Sequence, residues 1–407
     1  MPKVTNELTD YVKREDKSFS WEEGAGGELV MTSQTWQGNT WKHHILVFEP
    51  SRLKRDLALL YVTGDYRRPS MQYAEPDEEV KALRWLSEAT GSVVAALYDV
   101  PNQPYMGMVE DEIISYTISK YLETGEADWL LLLPMTKAAI RAMDAVTARE
   151  KGRGISLSGF HVTGASKRGW TSWLTAAADE RVKAITPMVY NNLNIPAQIK
   201  HQIELWGKTS PQLNDYAQRG LLSAITGGEA ESVGRAISII DPYSYLDALT
   251  LPKLIVNSAN DQYWAVDAEK FYWNELRGEK RLLYLPNSDH SMQDRERLLS
   301  TLKAFHEHVA DGSAMPEISS TAIRSGNLAS VKVASPYAKS CAIWEAESED
   351  AVFVKSKWKE IRNYQAEIEI GGSHAAAFGE CAFEGEPDYH LSSNLYLFSP
   401  APRGHTK

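Results

Sequence analysis

The stretch "HVTGASKRGW", residues 161–170, decides the fold. An extended run reaches Gly164 and turns at Ala165 and Ser166. A helical pattern follows, with Trp170, Trp173, Leu174 and Ala177 on one face. Ser166 therefore stands at a strand-to-helix corner, where two roles compete. A corner serine can cap the helix. It can also be a nucleophile, raised above a sheet with the helix N-terminus behind it to favour developing negative charge. The elbow spacing G-x-S-x-G is only partly met, because after Gly164 and Ser166 the second glycine, Gly169, comes one residue late. On this stretch alone the two roles stand level.

Outward from the corner, short apolar runs closed by turn residues recur at 92–101, 181–190, 251–259 and 280–288, and strand-like runs fill 28–63 and 154–164. Helical patterns at 76–89 and 109–150 separate several of them. This alternation predicts βαβ units, a mostly parallel sheet with helices on its faces, and ligands at the carboxyl ends of the strands. Residues 191–250 interrupt the rhythm with a long helical segment rich in Gln, Asn and aromatics. It reads as a cap over the strand ends, or as a plain surface excursion. Past Pro316, runs such as "ASVKVAS" (329–335) alternate without a long helix, which predicts a small all-β sandwich. The polar linker "DGSAMPE" (311–317) sets the expected division: a catalytic domain over 1–312 with its cap at 191–250, and a β-sandwich domain over 313–407. A cut there is expected to leave a unit with its own core.

Composition narrows the function. The 407 residues carry a formal net charge of -11, which argues against nucleic acid or an anionic membrane as partner. No apolar run approaches the roughly 20 residues of a membrane span; the best, "WLLLLP" at 129–134, reads as a buried helix start. The opening "MPKVTNELTDYV" has no leader pattern, so the chain reads as cytoplasmic as written, or as an exported protein without its leader. Cys341 and Cys381 are the two cysteines, and a disulfide or two buried thiols fit equally. No spacing suggests zinc, and no cofactor is expected. His43 and His44 alternate on a strand and His306 and His308 lie two apart on a helix, so neither pair shares a metal.

A hydrolase triad on such a sheet runs serine, acid, histidine, each after a strand. "LIVNSANDQYW" closes one late strand with Asp261, and "LLYLPNSDHSM" closes the next with His290. Each residue has a plainer reading, Asp261 as an Asx-turn residue and His290 as a polar group at a helix start. Their order after Ser166 favours the triad. Five stretches, "ELTDYVKREDKSFSW" (7–21), "VPNQPY" (100–105), "GASKRGWTSW" (164–173), "NSANDQYW" (257–264) and "NSDHSM" (287–292), resemble the PhoPQ-activated pathogenicity-related proteins, an α/β-hydrolase-like family, over nearly the whole chain. The resemblance makes the displaced glycine a family trait. It implies an α/β-hydrolase fold, Ser166 as nucleophile, Asp261 as acid and His290 as base, in a family whose members are often exported.

The expected function is therefore a serine hydrolase that cleaves an ester or amide bond, peptides included, through an acyl-enzyme on Ser166. The alternative is a non-catalytic binding protein on a hydrolase scaffold. Oxyanion donors are expected from the backbone of Lys167 and of Gly64 or Asp65. Trp206, Tyr263, Trp264, Asn102 and Gln103 are candidate substrate contacts, with core packing or turn formation as their plain roles. Lys167 and Arg168 would either hold an anionic substrate or take solvated or salt-bridged roles. The expected partner is a small molecule or short peptide.

Overall fold

The computed structural model describes residues 7–24, 27–64, 78–227 and 231–400. After helix α1 (Glu7–Lys13), strands β1 (Ser20–Glu23), β2 (Leu29–Trp36) and β3 (Asn39–Phe48) form an antiparallel meander. The βαβ part follows in chain order: β4 (Leu57–Val62), α2 (Glu78–Thr90), β5 (Val94–Leu97), α3 (Asp111–Thr124), α4 (Leu132–Gly152), β6 (Gly159–Ala165), α5 (Lys167–Ala178) and β7 (Val182–Met188). Then come the helices α6 (Ile195–Trp206), α7 (Asn214–Gln218), α8 (Leu221–Gly227) and α9 (Glu231–Ile240), before β8 (Lys253–Ser258), β9 (Lys280–Leu285) and α10 (Arg295–Ala310).

Strands β5-β4-β6-β7-β8-β9 pair in parallel. Both faces are covered, and β4 shows why its sequence is apolar throughout. Ala58, Leu60 and Val62 enter the core shared with α4 and α5. Leu59, one step out of phase, packs with Leu83 and Leu86 of α2 and Leu302 of α10 on the other face. The chain goes from β4 to β5 on one side and returns to β6 on the other. The carboxyl ends of β4 and β6 therefore flank a topological switch point, the crevice where such sheets take ligands. This is an α/β-hydrolase fold.

The C-terminal region contains β10 (Ser319–Ser325), β11 (Leu328–Ala334), β12 (Ser340–Ser348), β13 (Lys359–Ile361), β14 (Gln365–Glu369), β15 (His374–Phe383), β16 (Tyr389–Ser392) and β17 (Tyr396–Phe398). Strands β10-β11-β14 form a separate sheet, whereas β16-β15-β12-β13 extend the central sheet from β9. The join is narrow: Ser392 pairs with Leu282, and Tyr284 N–H donates to Ser392 Oγ at 2.9 Å. One layer of this β region is thus continuous with the hydrolase sheet. Aromatic packing reinforces the join, with Phe378 of β15 against Tyr284 of β9 and against Trp358. Cys341 and Cys381 face each other across β12 and β15 and are bonded.

The run at 154–164 becomes strand only from Gly159. Among the described residues no helix is long and apolar enough to cross a membrane. "WLLLLP" instead leads into the buried first turn of α4.

Candidate active site

Ser166 lies between β6 and α5 with φ 56° and ψ −123°. A non-glycine residue held there costs about 1–3 kcal/mol, which persists only where the surroundings enforce it. Its N–H donates to Met188 O at 2.8 Å and its carbonyl accepts from Trp170 N–H at 3.0 Å, fixing it to β7 and to the first helical turn. The hydroxyl makes no capping hydrogen bond. Ser166 therefore occupies the cap position without capping by its side chain.

Both glycines of the motif are needed for close approach. A Cβ on Gly164 would lie 2.8 Å from Val62 O and from Arg168 Cβ. One on Gly169 would lie 3.0 Å from Met188 O and 3.1 Å from Gly164 O. The late glycine is thus where α5 crosses the strand ends, so its displacement keeps the function of the usual spacing.

Asp261 follows β8 and His290 follows β9. His290 Nδ1 lies 2.8 Å from Asp261 Oδ2, while Asp261 Oδ1 accepts the Tyr263 N–H at 2.8 Å. The Tyr263 ring stacks at a tilt on the imidazole, 4.3 Å between centroids. His290 Nε2 is buried and has no hydrogen-bond partner among the described residues. Ser166, His290 and Gly64 line one cleft.

The two loops carrying Asp261 and His290 are pinned from the C-terminal region. Asn260 Nδ2 donates to Phe353 O at 2.8 Å and to Ser356 O at 2.7 Å. Asn287 donates to Trp358 O at 3.0 Å and accepts the Trp358 N–H at 2.8 Å. The Trp358 indole N–H reaches Ala259 O at 3.3 Å. In the sequence these asparagines stand out from no other polar residue near a strand end. Their partners lie some 70 to 100 residues downstream, and no local pattern points to them.

The cations beside Ser166 are committed to the protein. Arg168 forks onto both oxygens of Glu110, at 2.6 and 2.7 Å, and its Nε–H donates to Val100 O. Burial alone would raise the Glu110 carboxyl, but Arg168, with Lys167 and Gln103, holds it at about 2. Lys167 Nζ lies 2.8 Å from Asp111 and 5.7 Å from the Tyr263 ring centre. Gly64 is required here too, since a Cβ there would overlap the clamped Arg168 guanidinium. Asp65 lies outside the described residues.

The candidate substrate contacts divide. Tyr263 and Trp264 line an apolar pocket that opens at Ser166. Gln103 borders the cleft and exchanges hydrogen bonds with Glu110. Asn102 is a turn residue, bonded to Lys42 and Asp99. Trp206 corrects the expectation. Its indole donates to Ala351 O, and it lines a small cavity behind Asp261 rather than either space that reaches Ser166. The C-terminal region draws it away from the serine.

The histidine pairs do not meet as ligands. His43 is buried between Ser33 and Tyr98 O, and His306 stacks on His161 rather than approaching His308. Among the described residues no group of three or more His, Cys, Asp or Glu could hold a metal.

The chain and its fold have relatives. The chain is 33% identical over 311 residues to autocrine proliferation repressor protein A of Dictyostelium discoideum, covering 71% of this chain but 62% of that protein. The chain thus spans less than two thirds of that relative's length. Among solved structures it resembles acetyl xylan esterase 1 from Thermoanaerobacterium sp. JW/SL YS485, with a TM-score of 0.50 and 15% identity, over 76% of this chain and 95% of that one. At that identity the likeness concerns the fold alone. Residues 8–353, from α1 through the paired Asp261 and His290 to Phe353, match the sequence profile of the PhoPQ-activated pathogenicity-related proteins, and the chain belongs to that family.

Proposed function

We propose that the protein is a serine hydrolase that cleaves an ester or amide bond through an acyl-enzyme on Ser166. The observation that carries this reading is the 2.8 Å contact between His290 Nδ1 and Asp261 Oδ2, beside a cleft that His290 shares with Ser166. With Nδ1–H directed at Asp261, Nε2 is left as the proton acceptor. His290 takes the Ser166 proton as Oγ bonds to the carbonyl carbon, then gives it to the leaving group as the acyl bond breaks. Asp261 holds the tautomer and stabilises the imidazolium. Water, activated by His290, releases the acid in the second half.

The Lys167 N–H at the start of α5 is one oxyanion donor, and the Gly64–Asp65 backbone is the source proposed for a second. The ion pairs of Lys167 and Arg168 support a structural role for both side chains, which position the elbow and the Gly64 turn. Domain limits of 1–312 and 313–407 remain part of this proposal, as does the cap over 191–250. The test is turnover of activated esters and aminoacyl anilides by the wild type and by Ser166→Ala. Turnover that survives Ser166→Ala nearly intact contradicts the reading.

A further inference from the structure

Ser166 faces two spaces of different chemistry. One is the cleft it shares with His290, of mixed character, where Gln103, Glu79 and Arg295 stand beside apolar residues such as Leu83, Met188 and Leu298. The other is a narrow apolar pocket, open to solvent on one side, which Ser166 and Lys167 share and which His290 does not border. Its walls come from both parts of the fold. Trp170 of α5 and Trp264 stand on the sheet side, and Ile199, Leu222, Ile225 and Ile237 from α6, α8 and α9 close it from above. Its charged members are neutralised: Lys167 pairs with Asp111 at 2.8 Å, and Tyr216 donates to the same carboxylate at 2.8 Å.

Direction follows from the proton. In acyl transfer the Ser166 oxygen bonds to the carbonyl carbon, and the bond from that carbon to the leaving atom breaks. The leaving atom departs with the proton that His290 took from the serine, so it must lie against His290. The group that stays on the serine points elsewhere. We infer that the apolar pocket receives this acyl group, and that the substrate's acyl part is an apolar chain or side chain larger than acetyl. The inference rests on the hydrolase reading and adds a substrate class to it. Water then attacks the acyl carbon, and the product leaves as an apolar carboxylic acid with Ser166 reprotonated.

The size preference has a physical scale. Each buried methylene contributes roughly fourfold in equilibrium terms. From p-nitrophenyl acetate to butanoate to octanoate, kcat/KM should rise at least tenfold overall. Ile237, half-buried on α9, sits where a larger side chain would fill the pocket. Ile237→Trp should lower the octanoate-to-acetate ratio at least tenfold, and Ile237→Ala should shift the optimum to longer chains. Ile225→Trp serves the same purpose should Ile237→Trp fail to fold. Calorimetric titration of Ser166→Ala with octanoate and acetate reads the pocket without turnover, and octanoate should bind at least tenfold tighter. A flat ester series and equal binding of the two acids, in a protein whose Ser166 still reacts with a fluorophosphonate, overturn the pocket assignment alone. Tighter binding of octanoate without turnover of any ester or labelling of Ser166 overturns the hydrolase reading and leaves an apolar acid-binding pocket.

Discussion

The elbow that carries Ser166 and the pair of loops that carry Asp261 and His290 are held in different ways. The elbow is fixed by its own neighbours: β6 beneath it, α5 behind it, Met188 O on its N–H, and two glycines that let these elements touch. The loops bond to each other, through Asn260 N–H to Ser288 O, and are held as well from a distance, by the Asn260 and Asn287 side chains bonded to residues 353–358. Half of the proposed machinery thus belongs to the parallel sheet, and the other half depends on the C-terminal β region. The lesson is that the β region acts as a clamp on the loops that carry Asp261 and His290, whatever else it does.

The largest effect is expected at the proposed catalytic groups themselves. Ser166→Ala and His290→Ala should each lower kcat by about 10⁴-fold or more, and the double variant should be little worse than either, because such groups act as a unit. Steady-state and single-turnover rates on an activated ester check this. Next comes removal of the clamp. A chain ending at residue 312 loses the side-chain partners of Asn260 and Asn287 and uncovers Tyr284. It is expected to lose solubility, or to keep α/β structure with activity down more than a hundredfold. Full activity in that chain would mean that the elbow side suffices. The structure thus qualifies the expectation of a freely separable 1–312 unit, since the sheet runs on through β9 and β16.

Asn287→Ala and Asn260→Ala sharpen the same contrast. Misplacing a reacting group by about 1 Å can cost about a hundredfold, so each should lower kcat roughly tenfold to a hundredfold with KM little changed. A purely structural loss would instead lower the amount of folded enzyme and leave kcat per labelled Ser166 unchanged. Titrating active sites with a fluorophosphonate separates the two outcomes.

The smallest effects concern pH, where the two sides differ in sign. Burial holds His161, on the strand leading to Ser166, well below its ordinary value, and holds His306 at about 3. Below about 6.5 the unfolded chain binds more protons at these sites than the folded one. Their contribution to stability therefore falls as pH drops through the window from 6.5 toward 3. At the β-region join, burial pushes Glu269 and Glu380 up to about 7. Here the folded chain binds more protons between about 4.5 and 7. Their contribution is fully present below 4.5 and is lost as pH rises to about 7. Denaturant midpoints measured across this range should show His306→Gln flattening the acid arm and Glu269→Gln the neutral arm. Parallel curves for wild type and both variants would contradict this.

The same contrast explains what was legible in the sequence. The parallel sheet could be read from its apolar runs, and the corner at Ser166 from the switch of period between 161 and 177. That Asp261 and His290 would come together was legible because each follows one of two neighbouring strands. Local signals reached that far. The clamp was not legible, because Asn260 and Asn287 look like ordinary turn residues until tertiary contacts bring 353–358 against them. Trp206 misled for the same reason. Its position in 191–250 suggested a place near the strand ends, but its partner is Ala351. The extension of the central sheet by β16 and β15 was hidden as well, since alternating strands do not reveal which sheet they will join.

The most direct measurement is labelling with a fluorophosphonate, followed by mass spectrometry of the modified peptide. A serine activated by His290 and Asp261 should be the residue that reacts, so the adduct is expected on the peptide containing Ser166. It should be absent in Ser166→Ala and slowed by orders of magnitude in His290→Ala. A folded protein that takes up no probe at Ser166, or takes it up equally well without His290, would contradict the account.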